Sequence, residues 1–202
     1  MTVGRYIVFE GSEACGKSTH SVRLADALGA LLTRETGGTP VGRRLREILH
    51  DTTVTDLSPR AEALMTAADR AQHIHEVVRP ALVSGRHVVS DRSVYSALAY
   101  QGYGRGQDVG QVRRLNEWAV DGVWPELVLL LDAAPEVVER RLKGRTLDRF
   151  EQEGAEFHRA VRAGFHQMAA DEPDRWVVID ADQPVERVGA AIRDAVRQRL
   201  GL

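Results

Sequence analysis

Several features are scarce in this 202-residue sequence, and each scarcity argues against a class of protein. A single cysteine allows no disulfide within the chain, which is typical of a reducing compartment. The longest apolar run, residues 127–131, is far shorter than the roughly 20 residues that cross a bilayer. No basic segment followed by an apolar one opens the sequence, so no signal peptide is predicted. We expect a cytoplasmic protein without a membrane partner.

The charge balance gives no support for a nucleic-acid partner. The formal net charge is −2, with 27 basic and 29 acidic side chains, whereas nucleic-acid binders are usually strongly basic. A hydrophobic content of 43% and a charged content of 28% are typical of a soluble globular protein. Without repeats, low-complexity tracts or linkers, the length predicts a single domain over residues 1–202.

A glycine loop near the start is the most informative segment. The spacing G-x-x-x-x-G-K-S begins at Gly11, follows an apolar strand-like run at residues 6–9 and precedes a helical pattern that ends before Gly29. Strand, loop and helix predict a P-loop whose amides bind the phosphates of ATP, with Lys17 at the β- and γ-phosphates and Ser18 on Mg²⁺. The predicted ATP-binding residues are Gly11, Ser12, Glu13, Ala14, Cys15, Gly16, Lys17, Ser18 and Thr19.

The loop as a whole and its Cys15 each have a simpler interpretation. The glycines could form an ordinary turn followed by a chance Lys-Ser pair. Cys15 could be a small residue filling that turn, which we favour, or a thiol made reactive by the helix N-terminus.

Strand-like and helix-like segments alternate along the chain, which predicts a parallel sheet covered by helices. The predicted fold class is α/β, a three-layer P-loop NTPase fold with a five-stranded parallel sheet and helices on both faces. Strands are expected at residues 5–10, 31–35, 87–91, 127–132 and 176–180, and helices at residues 16–28, 41–50, 59–84, 109–120, 135–142, 148–170 and 184–200. Ligands of such sheets bind beyond the carboxyl ends of the strands.

Two polar residues, Asp91 and Arg92, follow the third predicted strand. If that strand neighbours the first, Asp91 lies beside the P-loop. There it could help to coordinate Mg²⁺ or orient a second substrate that accepts the phosphoryl group. Arg92 could bind a phosphate through both ends of its guanidinium. The alternative is a surface ion pair.

A basic segment at about residues 140–150 lies between two predicted helices. Five basic residues surround Gly144, a composition that suits a lid closing over phosphates. The alternative is a solvated basic turn.

Together these blocks resemble the thymidylate kinase family, which makes dTDP from dTMP and ATP. The resemblance covers nearly the whole chain in the right order. It rests on the P-loop and on Arg34-Glu35-x-Gly37-Gly38-Thr39, Ala68-Asp69-Arg70, Asp91-Arg92, Ala99-Tyr100-Gln101-Gly102, Gly104-Arg105-Gly106 and Leu147-Asp148-Arg149-Phe150-Glu151. The resemblance implies Mg²⁺-dependent transfer of the γ-phosphoryl group of ATP to dTMP.

The resemblance also implies individual roles. Arg70 and Arg92 would hold the dTMP phosphate, Tyr100 would lie against the sugar, and Gln101 and Glu35 would line the acceptor pocket. Glu13 falls where the family has an acidic P-loop residue near the acceptor and the metal. The metal ligands predicted from the motifs themselves are Ser18 and Asp91.

The lid carries a further implication. One subgroup of the family lacks an arginine in the P-loop and supplies the catalytic one from the lid, and this P-loop has none. Arg145 and Arg149 are then the candidates for that role. The family usually forms a homodimer, for which the long helix at residues 59–84 is a candidate surface, since Leu64, Ala67, Ala71 and Ile74 recur at helical spacing. These residues could equally belong to the core of a monomer.

Departures from the family pattern leave the base preference open. Thr66 stands where an aromatic residue often stacks on the thymine, so Met65 or another residue would supply the stacking, and Ala97 lacks a polar side chain near the base. The alternatives are a kinase for another pyrimidine monophosphate such as dUMP, or a nucleotide-binding switch, although no guanine-reading Asn-Lys-x-Asp occurs. A metal site built from His73 and His75, or from His158 and His166, is the weakest alternative, because no nearby residue completes a zinc-like set.

Overall fold

The structure, a computed structural model, describes residues 4–202. In this part of the chain, five parallel strands form one sheet in the order β2-β3-β1-β4-β5. They are β1 (Tyr6–Glu10), β2 (Leu31–Arg34), β3 (Val88–Asp91), β4 (Leu127–Asp132) and β5 (Trp176–Asp180). This sheet confirms the predicted fold class.

Helices connect the strands, as the alternation along the sequence predicts. They are α1 (Lys17–Leu28), α2 (Pro40–His50), α3 (Pro59–His73), α4 (Arg79–Val83), α5 (Val94–Ala97), α6 (Val109–Val120), α7 (Pro135–Leu142), α8 (Ala155–Asp171) and α9 (Val185–Leu200), with π-helical segments at Ile74–Val78 and Leu98–Gly104. None of these helices is both long and apolar enough to cross a bilayer.

Strand β1 lies at the centre of the sheet and is buried on both faces. Tyr6 and Val8 pack into one apolar core, whereas Ile7 and Phe9 pack into the other, because successive strand residues point to opposite faces. The first core is rich in aromatic residues, and the second packs α1 and α9 against the sheet. The packing on both faces fixes the end of β1, from which the following loop starts.

The long predicted helix at residues 59–84 contains a π-helical segment. Pro80 lacks an N–H group and cannot complete the helical hydrogen bond to the residue four positions earlier. The neighbouring Arg79 N–H bonds instead to Ile74 O, five positions earlier. The chain therefore continues as one helical rod with a widened turn.

The structure differs from the predicted helices in two further places. The helix expected from residue 148 begins at Ala155, because the Asp148 carboxylate accepts the N–H groups of Phe150 and Glu151 and closes a separate turn. The helical stretch from Val94 to Gly104 was not predicted at all. Its run of Ala, Tyr and Gly has no clear apolar period, and tertiary packing in the aromatic core determines its conformation.

Candidate active site

The P-loop has the backbone that its glycines predict. Gly11 has a φ of +137°, and a Cβ there would lie 2.4 Å from the Leu131 carbonyl oxygen, so only glycine fits. Gly16 has a φ of +102° and immediately precedes α1. The loop therefore turns tightly and presents the N-terminus of a 12-residue helix beyond the end of β1.

Lys17 lies under this loop. Its Nζ donates hydrogen bonds to Ser12 O at 2.6 Å and Gly11 O at 3.2 Å, and the residue is only 6% exposed. Cys15 is buried, and its Sγ lies 3.5 Å from the Lys17 Nζ. This packing agrees with the interpretation of Cys15 as a small residue that fills the turn.

Ser18 and Asp91 meet at the carboxyl edge of the sheet. β3 pairs with β1, which places Asp91 opposite Phe9, and the Ser18 hydroxyl donates to Asp91 Oδ2 at 2.6 Å. Hydroxyl and carboxylate oxygens are ligands that Mg²⁺ prefers, and this ion usually takes few protein ligands when phosphates supply the rest. The pair fits such an ion, and no larger cluster of metal-ligating residues occurs among residues 4–202.

Arg92 joins the P-loop to the opposite wall of the cleft. Its guanidinium donates to Gly11 O at 3.2 Å and to the Tyr100 hydroxyl at 3.0 Å, and it forms an ion pair with Glu13. The Tyr100 hydroxyl in turn donates to Glu13 at 2.8 Å. Arg92 has a φ of +71°, a conformation that costs a non-glycine residue energy and is concentrated at functional sites.

The charges around Glu13 control its protonation. Burial alone would raise its pKa, but the positive charges of Arg92 and Lys17 outweigh burial and lower the pKa to about 2. Glu13 is therefore ionised at neutral pH and keeps Arg92 in place.

A cavity opens beside these residues, bounded by α2, α3, α5 and the segment before α8. Its walls include most of the predicted acceptor residues. The lining residues are Glu13, Glu35, Thr36, Arg46, His50, Thr66, Arg70, Arg92, Ser93, Ser96, Ala97, Tyr100, Gln101, Asp148 and Phe150.

Arg70 occupies a buried wall of this cavity. Its Nε donates to Glu35 Oε2 at 2.9 Å, its Nη2 donates to Ser93 O at 3.1 Å, and its Nη1 bonds to Asn116. His73 donates to the other oxygen of Glu35 at 2.8 Å. Burial would raise the pKa of Glu35, but Arg70 and His73 lower it. The charge of Arg70 is thus balanced by a buried, ionised carboxylate.

Residues 148–150 close the side of the cavity next to α2. His50 donates to Asp148 at 2.7 Å, and Arg149 donates to Leu49 O at 2.7 Å. Phe150 is 7% exposed, and its ring lies edge-on to those of His50 and Tyr100, at centroid distances of 5.3 and 5.8 Å. The segment thereby places an aromatic ring in the acceptor cavity.

Comparison with known proteins agrees with this arrangement. The sequence profile of the family described as thymidylate kinase matches residues 9–192. The chain belongs to the thymidylate kinase family. Among its relatives, the thymidylate kinase of Magnetococcus marinus is 48% identical over 98% of this chain and 97% of the relative. The thymidylate kinase of Synechococcus sp. is 47% identical over 98% and 96%.

A solved structure extends the thymidylate kinase comparison to the fold. The crystal structure of thymidylate kinase from Ehrlichia chaffeensis superimposes with a TM-score of 0.80. It is 29% identical and covers 96% of this chain and 99% of that chain.

For this member of the thymidylate kinase family, most of the predicted site residues lie together. The P-loop with Ser18 and Asp91 forms one side of the cleft, and Glu13, Glu35, Arg70, Arg92, Tyr100 and Gln101 line the cavity on the other. The two arginines of the predicted lid differ in their surroundings. Arg149 is held against the core, whereas the Arg145 side chain is 54% exposed and its ion pair with Glu151 spans 3.8 Å.

Some cavity residues were not predicted. Met65, a candidate for stacking on the base, does not line the cavity, whereas Phe150 does. His50 and Arg46 come from α2, where nothing in the sequence distinguishes them from other polar helix residues. Glu10, which ends β1 outside the cavity lining, was given no role, and it is fully buried. It accepts hydrogen bonds from Ser93 and Ser96.

Proposed function

We propose that this protein transfers the γ-phosphoryl group of ATP to the phosphate of dTMP, giving dTDP and ADP. The observation that carries this assignment is the direct contact between donor loop and acceptor wall. The Arg92 guanidinium donates hydrogen bonds both to Gly11 O of the P-loop and to the Tyr100 hydroxyl of the cavity. Two anionic substrates bound on either side would meet at Arg92, and membership of the thymidylate kinase family supports the same reaction.

On the donor side, the P-loop amides and Lys17 would bind the ATP phosphates. Lys17 would exchange its contacts with Gly11 O and Ser12 O for phosphate oxygens. Mg²⁺, held by Ser18 and Asp91, would neutralise charge between the β- and γ-phosphates. The acceptor phosphate is already anionic, so positioning and charge neutralisation carry the catalysis.

On the acceptor side, we assign the phosphate to Arg92. It lies next to the P-loop, and its ion pair with Glu13 orients the guanidinium. Arg70 was predicted to share this role. Its three guanidinium partners, Glu35, Ser93 and Asn116, lie outside the P-loop, whereas Arg92 contacts Gly11 directly. This position favours a more distant oxygen of the acceptor for Arg70.

The base would lie between Arg70 and Phe150. Thr66 and Ala97 are short side chains in this part of the wall, and Phe150 offers an apolar ring face or edge. Aromatic contacts of this kind contribute about 0.5–1.5 kcal/mol beyond the burial of area. We therefore assign to Phe150 the aromatic contact that Thr66 cannot make.

The lid arginine that stabilises the migrating phosphoryl group is assigned to Arg145. Its exposed side chain is free to reorient when ATP binds, whereas Arg149 is already engaged with Glu62 and Leu49 O. An arginine that reaches the transition state is worth about a thousandfold or more in rate.

We also propose that the protein is a homodimer. Trp118 on α6 is 82% exposed and Leu64 on α3 is 52% exposed. A groove beside Trp118 is lined by Ala71, Ile74 and His75. Ala67, named among the candidate interface residues, is buried within the chain. Size-exclusion chromatography with light scattering tests this proposal, since a monomeric mass at micromolar concentration would contradict it.

The experiment for the main assignment measures ADP release from ATP with and without dTMP. Lys17→Ala and Arg92→Ala should abolish the dTMP-dependent rate while circular dichroism shows folded protein. Arg197→Ala is the control, because the side chain of this arginine is 72% exposed and forms an ion pair with Asp194 on the same helix, α9. A near-normal rate of dTMP-dependent ADP release in either site variant would contradict the assignment.

A further inference from the structure

A buried carboxylate outside the acceptor cavity holds one of the cavity's side chains. Glu62, in the first turn of α3, has a side chain only 1% exposed. Its Oε1 accepts from Gln101 Nε2 at 2.9 Å and from Arg105 Nε at 3.2 Å. Its Oε2 accepts from Arg105 Nη2 at 3.1 Å and from Arg149 Nη2 at 2.6 Å. Gln101 lines the cavity and Glu62 does not.

The protonation state of Glu62 makes it an acceptor only. Burial alone would raise its pKa, but hydrogen bonds from Arg105 and Gln101 outweigh burial and lower the pKa. An ionised carboxylate has no hydrogen to donate, so the Gln101 amide must turn its NH₂ group towards Glu62. The opposite orientation would place the Gln101 oxygen against a buried negative charge.

With its NH₂ group bonded to Glu62, the Gln101 side chain has its amide oxygen left for another partner. The residue is 2% exposed and lines the cavity. Among the described residues, 4–202, the Gln101 amide makes a hydrogen bond through its nitrogen to Glu62 and none through this oxygen. The cavity therefore presents a fixed hydrogen-bond acceptor, on the same lining as the Arg70 guanidinium, which is a donor only.

We propose that Glu62 is a positioning residue that sets base selectivity, because it locks the Gln101 amide with its oxygen towards the acceptor. This inference rests on the proposed function. A base edge with an N–H group beside a carbonyl, as in thymine or uracil, matches an acceptor beside a donor. The corresponding edge of cytosine carries a ring nitrogen and an amino group, which have the opposite polarity. Sites that hydrogen-bond a substrate group discriminate strongly against analogues that leave their buried groups unpaired.

The substitution Glu62→Gln tests this lock with almost no change in shape. A glutamine at this position can donate as well as accept, so the Gln101 amide becomes free to turn over. The readout is kcat/KM, from ADP release, for dTMP, dUMP and dCMP. We expect the ratio of dTMP to dCMP to fall by about tenfold or more, while the ratio of dTMP to dUMP stays constant.

A matched control separates this effect from a general loosening of the site. Glu153 is the other carboxylate partner of Arg105, at 2.5 Å, whereas the Gln101 amide bonds to Glu62. Glu153→Gln should leave both ratios unchanged. Equal losses for all three acceptors in Glu62→Gln would show a merely structural role and overturn this inference alone. Wild-type protein that does not turn over dTMP would overturn the proposed function as well.

A measurement on the wild-type protein applies if Glu62→Gln does not fold. In ¹⁵N-labelled protein, the side-chain NH₂ signal of Gln101 is assigned by its loss in Gln101→Leu. A locked amide should show slow hydrogen exchange and hindered rotation. Rapid exchange of both amide protons would refute the lock.

Discussion

Arg149→Ala and Arg145→Ala should separate two roles that the sequence alone cannot assign. Both arginines belong to the basic segment, but only Arg149 is anchored. Its side chain is 13% exposed and donates to Glu62 at 2.6 Å and to Leu49 O at 2.7 Å. The Arg145 side chain is 54% exposed, with one carboxylate at 3.8 Å. We expect Arg149→Ala to affect stability and Arg145→Ala to affect the rate.

The magnitudes follow from these contacts. A hydrogen bond to a charged group contributes about 1.5–3 kcal/mol. Glu62 keeps Arg105 and Gln101 as partners when Arg149 is lost, so no buried charge is left alone. Arg149→Ala should therefore lower the free energy of unfolding by about 2–3 kcal/mol, a fall in Tm of about 4–12 °C for a chain of this size. An exposed pair such as that of Arg145 should change stability by less than about 0.5 kcal/mol.

The assay combines thermal unfolding with steady-state kinetics on the same preparations. Arg145→Ala should keep the wild-type Tm and lose on the order of a thousandfold in kcat. Arg149→Ala should have a lower Tm than the wild type, and its kcat should fall less than that of Arg145→Ala. An unchanged Tm in Arg149→Ala, or a near-normal kcat in Arg145→Ala, would refute this assignment of the two arginines.

Two further predictions concern the cavity. Phe150→Leu should raise the KM for dTMP by about two- to tenfold through loss of the aromatic contact, with the KM for ATP unchanged, and equal rises in both constants would contradict the placement. Glu13 has a folded pKa of about 2, below its usual value of 4.5. Its contribution to stability is present above pH 4.5 and is lost as the pH falls towards 2. The free energy of unfolding, measured with urea, should therefore fall less steeply over that pH range in Glu13→Gln than in the wild type. Parallel pH profiles of the two proteins would refute the prediction.

The sheet and the P-loop could be predicted because their signals are local. Gly11 and Gly16 have positive φ values that the motif requires, and β4 and β5 have the predicted bounds. Each of these segments is short and apolar, and its neighbours on the chain mark where it ends. The pairing of β3 with β1, which the sequence left as a condition, is seen in the structure and places Asp91 beside the loop.

The acceptor cavity was harder to predict because its contacts span long stretches of chain. The ring of Phe150 reaches His50 and Tyr100 across 100 and 50 positions. The helix predicted at residues 148–170 included Phe150, although a turn closed by the Asp148 carboxylate holds this residue. The partners of Glu62, which decide the orientation of Gln101, are also visible only once the chain is folded.

The most direct test of the account is the acceptor panel with wild-type protein. ATP and Mg²⁺ are combined in turn with dTMP, dUMP, dCMP and no acceptor, and ADP release is followed over time. The account predicts rapid ADP formation with dTMP, a lower kcat/KM with dUMP, very little with dCMP, and a negligible rate without acceptor. ADP release that does not depend on a monophosphate, or a preference for dCMP over dTMP, would contradict it.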